Sequence, residues 1–333
     1  MLRLPSFDYF QPATTEEVAA ILHAEAPACA VVSGGTDLFP KMKRRQLAPR
    51  TLISLRRLGA LHRVAGEPEE GIVIGARVTL AELERNPMLC SRYPAVAAAA
   101  RAISSPPLRN AGTIGGNLCV DTRCTYYDQT YEWRKAIDFC MKKDGHVCWV
   151  APSSPRCWAV ASSDLAPVMI ALGAKVRLLS KQGDRLIPAA ELYRNDGIEF
   201  LSKRPDELLT EIHLPAVSTD LMVYKKLRRR GAIDFPILGV AIWLRPSAAE
   251  RSVIEQGRIA ITAVASYPFE VEAARKLFRG ARLNCEVIEQ AAEAAWKRAK
   301  PLDNTDLDMS WRKEMVRVFT RRALQELSDN LCG

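Results

Sequence analysis

The alternation of apolar and polar positions opens on a β-α-β unit. Phe7-Asp8-Tyr9-Phe10 is a short extended start. Thr14-Thr15-Glu16-Glu17 forms a capping box, with Thr14 as N-cap and Glu17 three residues on. Val18, Ile21 and Leu22 then share one helical face, and Pro27 closes the helix. Residues 28–32 are an unbroken apolar run that predicts a buried strand, leading directly into Ser33-Gly34-Gly35-Thr36-Asp37. Residues 51–55 predict the next strand. A second unit has a strand at Gly71-Ile72-Val73-Ile74-Gly75, a capping box at Thr79-Leu80-Ala81-Glu82 with a helix stopping near Pro87, and a helix over 95–103. A second glycine turn follows, Asn110-Ala111-Gly112-Thr113-Ile114-Gly115-Gly116-Asn117.

Residues 121–161 break the pattern. They hold four of the nine Cys, three of the six Trp and three of the eight Tyr, without helical or strand period. A loop of this length inside a compact domain needs something to tie it down. After it, 169–180, 208–214 and 221–227 predict strands. Residues 235–244 and 258–265 follow closely enough for an antiparallel sheet. Helices are expected over 270–278, 285–297 and 311–327. A boundary near 216–221 divides the chain into domains 1–217, carrying the 121–161 insertion, and 218–330.

Each glycine turn sits near a strand end. Glycine allows φ > 0 and a close ligand approach, and successive free N–H groups form an anion nest. Either turn alone is also explained as a plain tight turn. As a pair they suit a pyrophosphate gripped from two sides, although the spacing is not that of the Rossmann fingerprint.

Cys124, Cys140, Cys148 and Cys157 are separated by 15, 7 and 8 residues. Four thiolates complete a tetrahedral zinc or a cubane [4Fe–4S] site. Neither the paired knuckles of structural zinc nor the dense cysteine run of bacterial ferredoxins occurs, so spacing leaves the metal open, as it does four buried free thiols. Tyr126, Tyr127, Trp133, Trp149 and Trp158 are candidate shields for a cluster. Cys119 is assigned to the glycine turn.

The net charge of +9 favours acidic partners. The basic runs Lys41-Met42-Lys43-Arg44-Arg45 and Lys225-Lys226-Leu227-Arg228-Arg229-Arg230 lack the interleaved aromatics of a single-strand binder, and no nucleic-acid partner is expected. Strand alternation at Tyr224-Lys225-Lys226-Leu227 puts Lys225 and Leu227 on one face, with Lys225 read as the lysine directed inward. The opening Met1-Leu2-Arg3-Leu4-Pro5 has no apolar signal core, the cysteine count is odd, and no apolar run nears the roughly 20 residues of a membrane helix. A cytoplasmic chain without membrane contact is expected.

With Val32-Ser33-Gly34-Gly35-Thr36-Asp37-Leu38, Ala111 to Asn117 and Ser163-Asp164-Leu165-Ala166-Pro167, the chain resembles the FAD-binding subunits of the xanthine dehydrogenase and carbon monoxide dehydrogenase family of molybdenum enzymes. The implied fold is α+β: a PCMH-type FAD-binding domain of two α/β subdomains, then a smaller sheet-plus-helices domain. The resemblance implies FAD binding by Ser33, Gly34, Gly35, Thr36, Asp37, Leu38, Ala111, Gly112, Thr113, Gly115, Gly116 and Asn117. It also implies flavin-proximal roles for Ser163, Asp164, Leu209 and Lys225, and no catalytic residue.

The cysteine insertion, with Cys-Thr-Tyr-Tyr-Asp-Gln and Trp-Arg-Lys-Ala-Ile-Asp-Phe-Cys, resembles the branch that reductively dehydroxylates 4-hydroxybenzoyl-CoA. That likeness implies a [4Fe–4S] cluster on Cys124, Cys140, Cys148 and Cys157, and ferredoxin as electron donor. It further implies a large molybdopterin cytosine dinucleotide subunit and a small subunit with two [2Fe–2S] clusters, as a dimer of heterotrimers. The alternative within the family is a molybdenum hydroxylase oxidising an aldehyde or heterocycle. Outside it stand a self-sufficient flavoprotein oxidase and a zinc-bearing nucleic-acid binder.

Overall fold

Three sheets follow one another along the chain in the computed structural model, which describes residues 3–332. Met1, Leu2 and Gly333 lie outside it, so the chain start read above is described only from Arg3. The first sheet is parallel, in the order Asp8–Phe10, Thr51–Ser54, Cys29–Val32. The helix Thr15–Glu25 crosses over it, burying Val18 and Leu22 against Ile53 and Leu55. Its cap is as expected: Thr14 Oγ1 accepts the Glu17 N–H at 3.2 Å. The reciprocal bond to Glu17 Oε2 comes from Ala13 N instead, at 2.7 Å.

The second sheet is antiparallel, in the order Val64–Glu67, Gly71–Gly75, Leu208–Leu214, Lys175–Ser180, Gly183–Pro188. Four helices cover it: Leu80–Arg85, Pro87–Arg92, Pro94–Ala102 and Leu165–Leu172. Thr79 and Glu82 form the full capping box. The break at Pro87 is a restart: Asn86 caps a fresh turn with Pro87 at its first position, where a missing N–H is harmless.

The strand expected over 169–180 is corrected. Residues 165–172 are a helix, and the strand begins only at Lys175. All eight helical residues are buried, so no polar face reveals the 3.6 period. Gly173, at φ 74°, ends the helix in the left-handed conformation.

The third sheet runs Phe269–Glu270, Val253–Thr262, Leu238–Pro246, Leu221–Leu227, with Ala281–Arg282 also paired to Val253–Thr262. Met222, Tyr224, Ala241 and Trp243 face the second unit's core. Val223, Val240, Ile242 and Ile261 face the helices Glu272–Phe278, Cys285–Arg298 and Met309–Cys332. Burial on both faces is why the apolar run ahead of Pro246 shows no alternation. The architecture is the mixed α+β arrangement expected. Among the described residues no helix is long and apolar enough to cross a membrane.

Candidate functional site

The two glycine turns meet. Strand Cys29–Val32 ends at Ser33, and the backbone of Gly34 lies so close to the second turn that a Cβ there would overlap the Ala111 carbonyl oxygen. Gly35 has φ 68°, and a Cβ on it would overlap the Phe39 ring. At Gly112 an added Cβ would stand 3.1 Å from Leu80 and 3.2 Å from the Leu108 carbonyl. The second turn winds into a single helical stretch, Ile114–Leu118, where Thr113 Oγ1 accepts the Gly116 N–H at 3.2 Å. Gly115 packs its bare Cα on Ala76, whereas Gly116 is exposed, and a Cβ there would meet only Thr113 Oγ1, at 3.2 Å.

Between the turns lies a cavity of about 750 Å³, within the range of cofactor sites. Ser33, Gly34, Gly35, Thr36, Asp37, Leu38, Gly112, Thr113, Gly116 and Asn117 line it. Ala111 and Gly115 stand behind the wall as its packing. The N–H groups of Gly34, Gly35 and Thr36 have no acceptor among the described residues, whereas those of Gly112, Gly115 and Gly116 are taken by Leu108 O, Ala76 O and Thr113 Oγ1. The first turn's N–H groups and the Thr hydroxyls fit the pyrophosphate of a dinucleotide such as FAD.

The other expected contacts fall elsewhere. Ser163 is buried, and its hydroxyl donates to Asn117 Oδ1 at 2.8 Å, which also accepts the Leu165 N–H at 3.2 Å. Ser163 therefore sets the orientation of Asn117 from behind. Leu209 is a core residue of the second sheet.

The inward reading of Lys225 is corrected: it pairs with Glu326 on the C-terminal helix. Its neighbour Lys226 is the inward lysine, donating to Asp164 Oδ2 at 3.0 Å, Ala102 O at 3.0 Å and Asp234 O at 2.9 Å. Antiparallel pairing with Leu238–Pro246 fixes that parity, and alternation alone leaves it two-valued. Asp164 also accepts the Tyr224 hydroxyl at 2.6 Å. Burial pushes the Asp164 carboxyl up and the Lys226 ammonium down, and each charge opposes the other's shift. The same network seats the loop bearing Phe235, a cavity residue.

The insertion supplies a wall the glycine motifs do not announce. Asp121, Tyr127, Lys142 and Lys143 line the cavity. Arg123 and Val160 exchange backbone hydrogen bonds at 2.8 and 2.7 Å, closing the insertion's neck. Asp121 sits between Lys41 and Lys142, and Lys142 Nζ also donates to Thr122 Oγ1 and the Gly197 carbonyl. Burial alone raises the Asp121 carboxyl, but Lys142 and Lys41 outweigh it and hold it at about 2. Arg123 bridges Asp37 and Asp128 and lies 4.1 Å over the Phe235 ring. Five residues of the basic runs pair with the chain's own carboxylates, Lys41 and Lys226 in its interior and Lys225, Arg229 and Arg230 at its surface.

Cys124, Cys140, Cys148 and Cys157 are all buried, and three of them pack with Tyr127 in one cluster. The Ala159 N–H donates to Cys157 Sγ at 3.4 Å, while the Tyr127 and Ala151 N–H groups fold each turn back onto the Cys124 and Cys148 carbonyls, both at 3.0 Å. Burial pushes the Cys124 thiol up to about 12. The Cys157 thiol hydrogen-bonds Cys148 and holds it below the usual thiol range. Among the described residues, no three His, Cys, Asp or Glu side chains are drawn together around one metal ion. A single zinc is therefore not supported. The sulfurs around a cubane stand further apart, because iron and sulfide lie between them, and N–H donors suit such anionic sulfur. Of the expected aromatic shields, Tyr127 is buried, while Trp133 and Trp149 stand at the surface.

Residues 5–217 match the family model described as the FAD binding domain in molybdopterin dehydrogenase, and 222–327 that of the CO dehydrogenase flavoprotein C-terminal domain. The aldehyde oxidoreductase FAD-binding subunit of Escherichia coli (strain K12) is 31% identical over 292 residues, covering 84% of this chain and 88% of that one. The nicotine 6-hydroxylase medium subunit of Paenarthrobacter nicotinovorans is 26% identical over 325 residues, 98% of each. A solved carbon monoxide dehydrogenase from Hydrogenophaga pseudoflava, lacking the Mo-pyranopterin moiety, superposes with a TM-score of 0.78 at 27% identity over 97% of each chain. With both halves matched in order and a dinucleotide cavity between its glycine turns, the chain belongs to the FAD-binding subunits of the xanthine dehydrogenase and carbon monoxide dehydrogenase family.

Proposed function

We propose that this chain is the electron-transfer flavin subunit of a molybdenum hydroxylase that oxidises an aldehyde or an N-heterocycle. It would work in the cytoplasm beside a large molybdopterin-bearing subunit and a small [2Fe–2S] subunit. The observation that carries this reading is the meeting of Gly34 with Ala111 beside the cavity, where the Gly34, Gly35 and Thr36 N–H groups have no acceptor among the described residues and can face a pyrophosphate. Aldehyde and heterocycle chemistry comes from what the relatives are called.

Bound FAD supplies the exchange between two-electron and one-electron carriers. The chain's own residues bind and orient: the Gly34 and Gly35 N–H groups and the Thr36 and Thr113 hydroxyls would take the phosphates, Asn117 is aimed by Ser163, and Phe235 lines one side. Substrate and water become hydroxylated product, two protons and two electrons on the partner, and the electrons leave through this chain. The test is copurification with flavin quantification and substrate-driven flavin reduction. A chain that purifies alone and turns over substrate with oxygen is instead a self-sufficient oxidase.

A second reading is favoured by the four-cysteine insertion. Here electrons run inward, and 4-hydroxybenzoyl-CoA, two electrons and two protons give benzoyl-CoA and water on the partner. A [4Fe–4S] cluster on Cys124, Cys140, Cys148 and Cys157 would supply low-potential electron entry from ferredoxin, in a dimer of heterotrimers. Four buried thiols, one of them accepting the Ala159 N–H, support it. Benzoyl-CoA formed from 4-hydroxybenzoyl-CoA with reduced ferredoxin decides for it; oxidation of an aldehyde panel without that product decides for the first.

A further inference from the structure

Arg134 lies on the helix Tyr131–Ala136 inside the insertion and is wholly buried. Its Nε and both Nη atoms lack any hydrogen-bond partner. The nearest carboxylate oxygen, on Asp144, is 3.7 Å from Nη1, and the Phe139 ring centroid is 5.8 Å from the guanidinium carbon. The other two deeply buried arginines find acceptors. Arg109 donates to the Ile103 carbonyl at 2.9 Å, and Arg312 to those of Leu302 and Ala263, each at 2.8 Å. A guanidinium carries five donors, and a buried one without an acceptor is strongly disfavoured.

What Arg134 adjoins is the thiol site. Its charge reaches Tyr127, whose ring packs with Cys124, Cys140 and Cys157. Its carbonyl accepts the Phe139 N–H at 2.6 Å, directly ahead of Cys140. Asp144 in turn bridges back to Cys140 through the backbone.

We propose that Arg134 is the buried counter-cation of an iron–sulfur cluster held by these four cysteines, a positioning residue that sets the cluster's potential. This rests on the four-cysteine reading above. A cubane on four thiolates is net negative and gains one more unit of negative charge on taking up an electron. A fixed cation beside it stabilises the reduced form more than the oxidised one, so the midpoint potential rises. Asp144 opposes that field from the same turn.

The experiment is an EPR-monitored redox titration with iron and FAD analysis of the full chain in the complex with which it purifies. Arg134→Met should shift the midpoint to more negative potential, or lose iron while keeping FAD. Arg134→Lys should restore wild-type values. Asp144→Asn should shift the midpoint the other way; Asp144 is half-exposed at φ 69°, a conformation Asn adopts readily. Full iron at an unmoved midpoint in Arg134→Met overturns the proposal. If Arg134→Met loses FAD as well, Asp144→Asn decides alone: an unmoved midpoint there overturns it, and a raised one supports it. A wild-type chain without iron removes the four-cysteine reading itself and this proposal with it.

Discussion

The glycine turns and the insertion wall the same cavity by opposite means. The turns are rigid because backbone meets backbone: Gly34 against Ala111, Gly115 against Ala76, each approach closed to any side chain. The insertion has one short helix and is held by its own Lys142 on Asp121 and by side chains from afar, Lys41 on Asp121, Gln46 on the Tyr127 carbonyl and Asn304 on that of Trp158. The first wall is complete as it stands. The second carries four buried thiols and a buried guanidinium without a hydrogen-bond partner. A scaffold made by close approach tolerates no added atom, and one made by charge and thiols tolerates no lost one.

The largest effect is expected at the first wall. Gly34→Val drives a branched side chain into the Ala111 carbonyl and parts the two turns. The purified protein should lose its flavin entirely, read as the flavin-to-protein ratio after gel filtration. Gly116→Ala refines the same point. Gly116 has no positive φ, and a Cβ there would stand 3.2 Å from Thr113 Oγ1, a contact that a small shift of that hydroxyl relieves, so the fold should hold and flavin loss reports the turn and its ligand. Full occupancy in Gly34→Val would sink the assignment of the cavity.

On the four-cysteine reading proposed above, Cys124→Ser, Cys140→Ser, Cys148→Ser and Cys157→Ser should each empty the insertion of iron while FAD stays bound. Cys90→Ser and Cys285→Ser, both exposed, should keep it. Iron per chain by metal analysis separates the sets. Loss of flavin along with iron would mean that the two walls are not independent.

A smaller effect is expected at the joint between them. Asp121→Asn leaves two buried ammonium groups facing one another, and losing one partner of a buried pair costs about 3–5 kcal/mol. Limited proteolysis should then cut within 121–161 first. The Asp121 carboxyl is held at about 2, below the unfolded value of about 3.9. Its stabilisation is therefore whole above that unfolded value and fades as pH falls toward 2. In wild type the insertion should resist protease at pH 5 and loosen only in stronger acid; loosening already at pH 5 contradicts the pairing.

These differences also explain what was legible in the chain. The turns are contiguous motifs, so their residues and their neighbouring strands stand out. Thr79 with Glu82 marks a helix start because capping is local. The helix Leu165–Leu172 hides its period through complete burial, and Gly183–Pro188 reads as polar because it is a largely exposed edge strand. Tyr127 and Lys142 reach the cavity from the insertion and Phe235 from the loop ahead of Leu238–Pro246, a convergence no spacing encodes. The four cysteines were legible as a group because they crowd one segment, whereas the isolation of Arg134 depends on what fails to surround it.

The smallest expected effect tests the one site residue whose direction alternation left undetermined. Lys225 is partly exposed and pairs with Glu326, and such a surface pair contributes about 0–1 kcal/mol. Lys225→Ala should leave flavin content unchanged and lower the melting temperature by a degree or two at most. Lys226 is the control beside it. It is buried, bonded to Asp164 and two carbonyls, and seats the loop that carries Phe235. Lys226→Met strands the Asp164 carboxylate, so it should destabilise by about 3–5 kcal/mol and weaken flavin retention. Thermal melts and flavin ratios of the two variants, measured side by side, fix the parity of the strand. If Lys225→Ala releases flavin and Lys226→Met does not, the strand presents its other face to the cavity, and the register with Leu238–Pro246 is shifted by one residue.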